Sequence, residues 1–382
     1  MTRDHCSEFT RRQFVTASAA TLAATSLPTW ARTAPDAKAA GEGGRRIIID
    51  TDPGVDDALA LLLAMRSPEL KLEAITPVAG NVPLDLTLPN ALRMVEIAGR
   101  TDIPVAAGAK GPLVRRLVTA TYVHGENGLD GVVFPEPKTA PVAESAAELI
   151  AKIVRKYPRE VTLLPIGPLT NIAATLIADK ELAPLVRGIV MMGGSLSGGN
   201  ITPAAEFNVY VDPEAARVVF QSGIPITMVG LDVTRKTSLT DEHVRILEAG
   251  HNAVSDAAAK IAKNAIQQMR EKGFLIGPNM HDSLAVAGFL DPSILKLKDY
   301  YVDVETSGEL TAGETVGYSP SAGDLRRGPE ADKQAAAHLP IRGSAPTLAG
   351  TRTSPVLREG FVPNAKVAVD LDSAKFFDLL IG

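Results

Sequence analysis

The sequence predicts an α/β protein built on a doubly wound, mostly parallel central sheet with helices on both faces, plus a C-terminal hairpin and a long loop. Three observations carry this. Strand-like and helix-like patterns alternate from Arg45 onward. The strand-like segments are continuous Val/Ile/Leu runs, the mark of strands covered on both faces. The composition, 45% hydrophobic and 22% charged over 382 residues, supplies the core that such an architecture buries.

Taken in order, "RRIIID" leads into "DDALALLLAMRS", and "KLEAITPVAG" into "LPNALRMVEIAGR". "EVTLLPIG" precedes "LTNIAATLIAD", and "VRGIVMMGG" precedes "DPEAARVVFQSG". "PITMVGLDVT" opens a helical region that runs to about Lys272. "KDYYVDVETSGELTAGETVGY" reads as a hairpin, and "NAKVAVDLDSAKFFDLLIG" returns a strand and a helix. The Pro/Gly/Arg-rich stretch 319–360 lacks periodicity and reads as a long surface loop within a single catalytic domain, 45–382. No internal repeat is visible.

Residues 1–31 read as a twin-arginine signal peptide: Arg11 and Arg12 precede a weakly apolar, Ala-rich stretch, with small residues at Thr29 and Ala31 for cleavage. Residues 32–44, "RTAPDAKAAGEGG", form a flexible linker. The expected location is therefore periplasmic or extracellular, with no membrane association once the signal is removed. The single cysteine, Cys6, lies in that leader, so the mature protein has neither disulfides nor thiolate metal sites. A net charge of −5 with scattered Lys and Arg, and only 4% aromatic residues, argue against a nucleic-acid partner.

The chemistry concentrates in "IIIDTDPGVDDALALLLA". Asp50 and Asp52 share one face of a strand, Pro53-Gly54 turns the chain, and Asp56 and Asp57 fall in the first turn of a helix. This places four carboxylates at the carboxyl end of a strand, where open α/β sheets bind ligands. Two like charges about 5 Å apart cost roughly 3 kcal/mol at an effective dielectric near 20. A helix N-terminus offsets only about 0.3–1 kcal/mol of that. The acids must bind protons or a cation, and an all-oxygen donor set calls for a hard ion, Ca²⁺ or Mg²⁺.

With that segment the sequence resembles the inosine–uridine-preferring nucleoside hydrolases. "DTDPGVDDALAL" is similar to their N-terminal signature. "ITPVAGN", "YVHGENGLDG", "IGPLTNIAA", "MMGGSLSGGNITPAAEFNVYVDPEAA", "LDVT" and "HDSLAVA" follow in family order. The likeness runs from about Arg45 to Tyr318 and resumes at Pro363. It implies a Ca²⁺-dependent α/β enzyme that hydrolyses the N-glycosidic bond of a ribonucleoside, a small-molecule substrate, and a homo-oligomer (dimer or tetramer). Carried over by position, Asp52 is implied as metal ligand and as the base that activates water. Asp57, Asp282 and the Ile166 carbonyl are implied as further ligands. Asp56, Asn81, Asn200, Glu206 and Asn208 match positions that hold the ribose hydroxyls, and Asp50 is expected to support them.

The chemistry of these residue types agrees with that reading. Breaking a C–N glycosidic bond builds oxocarbenium-like charge on the sugar, which carboxylates stabilise. Amides and carboxylates suit hydroxyls that both donate and accept. His281, beside Asp282 at a helix start, is the candidate to protonate the departing base or stack on it. His124, in a glycine-rich loop, is a candidate flank for the base, and Met192 for the sugar pocket. Three features depart from the family pattern: only Phe274 supplies an aromatic in 235–280, the 319–360 loop is long, and Ser283 follows the His-Asp pair. Two other readings compete. One is an exported, non-catalytic nucleoside- or sugar-binding protein of the same fold. The other is an Mg²⁺-dependent phosphatase, for which no phosphate-binding loop and lysine are placed.

Overall fold

The computed structural model describes residues 44–319 and 362–382. The expected signal peptide, and nearly all of the linker and the long loop, lie outside the described residues. The elements follow the predicted alternation: β1 (Arg45–Thr51), α1 (Val55–Arg66), β2 (Leu70–Pro77), α2 (Leu84–Ile97), α3 (Thr121–His124), α4 (Ala146–Lys156), β3 (Thr162–Pro165) and α5 (Thr170–Ala178). Then come β4 (Gly188–Met192), α6 (Phe207–Val211), α7 (Pro213–Phe220), β5 (Ile226–Val229), α8 (Leu231–Thr234), α9 (Asp241–Glu248) and α10 (Ala253–Glu271). The chain closes with α11 (His281–Leu290), β6 (Leu295–Val304), β7 (Thr315–Tyr318), β8 (Ala365–Leu371) and α12 (Ser373–Ile381).

The sheet order is β2-β1-β3-β4-β5-β8-β6-β7, parallel through β8 and antiparallel at β8-β6-β7. The hairpin and the returning strand are both present. The returning strand β8 does not extend the edge: it inserts between β5 and β6.

Burial of β1 on both faces explains its unbroken isoleucine run. Ile47 and Ile49 enter one core with α1, α2, α9, α10, α11 and α12, while Ile48 enters a second core with α4, α5 and α7. Neighbouring residues of a strand point to opposite faces, so a strand sandwiched between two helical layers needs apolar side chains at every position. Helix α1 is buried nearly all round because it lies between the sheet and a second layer of helices. Helix α4 is a one-sided surface helix, opened by the Ser145–Glu148 capping box and burying Leu149, Ile150, Ile153 and Val154.

The residues that flank the undescribed segment 320–361 are paired with the sheet. Tyr318 pairs with Tyr301, and the Asn364 N–H donates to the Tyr300 carbonyl beside the first residue of β8. Among the described residues no helix is long and apolar enough to cross a membrane.

The last helix belongs to the core, because Phe376 is fully buried in the cluster that includes α1 and α11. Phe376→Ala should lower stability to urea by about 3–5 kcal/mol. A midpoint unchanged from the wild type would show that α12 does not complete this core.

Candidate active site

Asp57 organises the end of β1. Its Oδ1 accepts from the Thr51 hydroxyl at 2.6 Å and the Asp52 N–H at 3.1 Å. Its Oδ2 accepts from the Gly54 N–H and the Asn81 amide, both at 3.0 Å. The Gly54 bond is half of a capping box, so the feature that starts α1 also fixes the acid. Carboxylate oxygens of Asp56, Asp57 and Asp282, all buried, lie within 4.8 Å of one another. Asp56 and Asp57 come from the first turn of α1, and Asp282 from the first turn of α11, which packs against it.

Asp52 stands beside this group. Its Oδ2 accepts from the Asn81 N–H at 2.7 Å, and its Oδ1 is buried without a hydrogen-bond partner. The carboxylate fits only because two neighbours lack a side chain: a Cβ on Gly80 or Gly167 would overlap it. Asp50, one strand repeat earlier, points into the sheet, where Thr76 (2.5 Å) and Asn171 (2.8 Å) donate to its Oδ2.

Burial, with Asp57 as the next cause, holds the Asp52 carboxyl far above the usual range. Burial and Asp57 push Asp56 to about 7, and burial alone takes Asp50 to about 7. Asp282 is raised well above its ordinary value by burial and then by Asp56, Asp57 and Asp52. Buried acids that stay ionised need a counter-charge. No described Lys or Arg forms an ion pair with any of them. An all-oxygen cluster, together with the unpartnered Asp52 Oδ1, suits a hard divalent cation.

The other predicted residues converge on the same cleft. Asn208 donates to the Ile166 carbonyl at 2.9 Å and to the Met192 carbonyl at 3.3 Å. Glu206 caps α6, accepting from the N–H groups of Asn208 (2.9 Å), Val209 (3.1 Å) and Gly194 (2.9 Å). The Asn200 Oδ1 accepts from the Phe207 N–H at 2.9 Å. Asp56, Asn81, His124, Ile166, Met192, Asn200, Glu206, Asn208, His281 and Asp282 all line this cavity.

Two residues are engaged differently from expectation. The Asn81 amide nitrogen, expected at a ribose hydroxyl, donates to Asp57 and to the Asp52 carbonyl, leaving its Oδ1 open. His124 Nδ1 accepts from the Val55 N–H at 3.1 Å and so caps α1 as well as lining the cleft. His281 Nδ1 pairs with the Thr234 hydroxyl at 2.7 Å. Desolvation pushes both imidazoles down to about 4, so both are neutral at pH 7.

Sequence reasoning missed Thr51, which donates to nearby Asp57, and Thr234 and Asn171, whose partners His281 and Asp50 lie far along the chain. It also missed the outer wall of the cleft, which α10 supplies through Gln268, Met269 and Lys272. Tyr122 of α3 and Phe207 of α6 are the Phe, Tyr or Trp residues that line the cleft; Phe274, the one aromatic in 235–280, is not among the lining residues.

Carboxylates at the strand ends and an amide-lined cleft define an enzyme site for a polyhydroxylated small molecule. The family model described as inosine-uridine preferring nucleoside hydrolase matches residues 47–378. The chain is 50% identical over 273 residues to the pyrimidine-specific ribonucleoside hydrolase RihA of Photobacterium profundum, covering 71% of this chain and 88% of that one. Its likeness to the RihA of Salmonella schwarzengrund is 48% over 271 residues, covering 71% and 87%. Among solved structures it is similar to a purine-preferring ribonucleoside hydrolase from Gardnerella vaginalis, with a TM-score of 0.74 and 29% identity over 88% of this chain and 97% of that one. A plant nucleoside hydrolase, PpNRh1, gives a TM-score of 0.73 at 29% identity over 88% and 98%. This chain belongs to the inosine-uridine preferring nucleoside hydrolase family. It is an N-ribosyl hydrolase, an enzyme that separates ribose from base.

Asp50 gives a pH test. Its carboxyl titrates near 4 when unfolded and at about 7 when folded, so the folded state loses stability as pH rises from about 4 through about 7. The neutral, buried His124 and His281 act in the opposite sense, losing stability as pH falls from about 6.5 towards 4. A difference measurement isolates Asp50. In chelator, the stability of Asp50→Asn relative to wild type should increase between pH 4 and pH 8. A pH-independent difference in urea midpoint would show that Asp50 is not held neutral.

Proposed function

We propose that this protein hydrolyses pyrimidine ribonucleosides to ribose and free base, using a calcium ion held by the strand-end acids. The observation that carries the reading is the set of buried carboxylates left without a protein counter-charge at the floor of a cleft lined by amides. Asp52, Asp57, Asp282 and the Ile166 carbonyl are the groups assigned to the ion, with Asp56 close enough to join them. A bound calcium would supply a fixed positive charge that orients water and lowers its pKa.

The remaining steps belong to the protein. Asp52 Oδ1, unpartnered and facing Gly167, accepts the proton of the attacking water. Asn200, Glu206 and Asn208 hold the ribose hydroxyls and so favour ribo- over deoxyribonucleosides. The carboxylates around the sugar stabilise the oxocarbenium-like charge as the C–N bond opens. His281, held through Nδ1 by Thr234 and lining the cleft, protonates the departing base or stacks on it.

The preference for pyrimidines rests on the names of the 48–50% identical relatives, set against the purine-preferring name of a 29% identical structure. Export by the twin-arginine route rests on Arg11, Arg12 and the apolar stretch that follows. Assembly into a dimer or tetramer rests on family resemblance.

Asp52→Ala should lower kcat on uridine by about 10²–10⁴-fold, the range for a lost general base. A strong chelator should abolish ribose release and calcium should restore it. Steady-state rates should be higher for uridine and cytidine than for inosine. Full activity in chelator would remove the metal from this account, and faster inosine turnover would reverse the base preference.

A further inference from the structure

The cleft is electrically lopsided. Asp56, Asp130, Glu206 and Asp282 line it, and Lys272, which acts electrostatically on Asp130, is the only Lys or Arg among its described lining residues. Lys272 caps the C-terminal end of α10, where the helix dipole favours a cation. Its Nζ donates to the Tyr122 carbonyl at 3.0 Å, and no described carboxylate lies within ion-pair distance of it. An ammonium has three N–H donors, so two remain for a ligand.

The tether is part of a pattern. Lys260 donates to the Val133 carbonyl at 2.9 Å and Asn264 to the Asp130 carbonyl at 2.6 Å. Lys260 and Asn264 stand one turn apart on α10, and with Lys272 at its C-cap they hold the loop that carries His124. The first two are spent on the loop. The third also lines the cleft.

Heterolysis of the C–N bond sends the electron pair onto the base nitrogen, and in a pyrimidine it spreads to the ring carbonyl oxygens. Positive charge grows on the sugar and negative charge on the base. Acids at the floor and an ammonium at the outer wall match that separation of charge.

We propose that Lys272 is a catalytic residue that stabilises the departing base, donating hydrogen bonds to its carbonyl oxygens as the bond breaks. The proton taken from water by Asp52 passes to solvent, and the released base anion takes one from solvent. This inference rests on the hydrolytic reading above and names the group that meets the leaving side of the reaction.

The test compares uridine with p-nitrophenyl β-D-ribofuranoside, whose phenolate leaves without help. Lys272→Met should lower kcat on uridine by about 100-fold, the cost of losing one preorganised donor. It should leave the nitrophenyl substrate near the wild-type rate, and Lys272→Arg should restore most of the uridine rate. An equal loss on both substrates would reduce Lys272 to a latch for the loop, and an unchanged uridine rate would remove it from the reaction; either overturns the proposal. Wild-type protein that releases ribose from neither substrate would sink the hydrolytic reading, and this inference with it.

Discussion

The structure turns on the burial of a carboxylate, Asp57, at the point where β1 becomes α1. Four donors from Thr51, Asp52, Gly54 and Asn81 converge on it. Hydrogen bonds to an ionised group are the stronger kind, so this arrangement fixes the turn, the first turn of the helix and the loop after β2 in a single step. The other aspartates of the cluster are placed relative to it. Asp56 is its chain neighbour, Asp52 hangs from the same Asn81, and Asp282 arrives on a helix packed against α1.

Holding several acids in one buried place costs free energy, and the protein concentrates that cost where it serves chemistry. The sheet supports it by being apolar on both faces, so that Ile47, Ile48 and Ile49 feed two cores and leave β1 little freedom to shift. Gly80 and Gly167 leave room for the Asp52 carboxylate, and His124 satisfies a free N–H of α1 while lining the cleft. The same residues therefore serve the fold and the site. Glu206 shows the overlap best: it caps α6 with two backbone hydrogen bonds, accepts a third from Gly194 and also lines the cavity, with burial keeping its carboxyl raised.

Much of the fold was legible in the chain. Continuous Val/Ile/Leu runs followed by helical patterns are local signals, and each returned the element expected of it. The carboxylate cluster was legible for the same reason: Asp50, Asp52, Asp56 and Asp57 lie within eight positions, and the periods of strand and helix place them at one strand end. The placement of β8 between β5 and β6 was not legible, because strand order is decided by pairing across more than sixty residues. Nor was the anchoring of the Asn81 amide to Asp57 and the Asp52 carbonyl, since a side-chain amide takes whichever partner the packed loops bring closest.

The sequence by itself determined the class of architecture, the acid-rich strand end and the set of residues that gather there, because periodicity and composition act over short stretches of chain. Tertiary structure alone decided which acids share a centre, which oxygen of Asp52 is left open, and that α10 closes the cleft with Lys272. Those outcomes depend on distances between segments remote in sequence, and such distances are set only when the two cores pack.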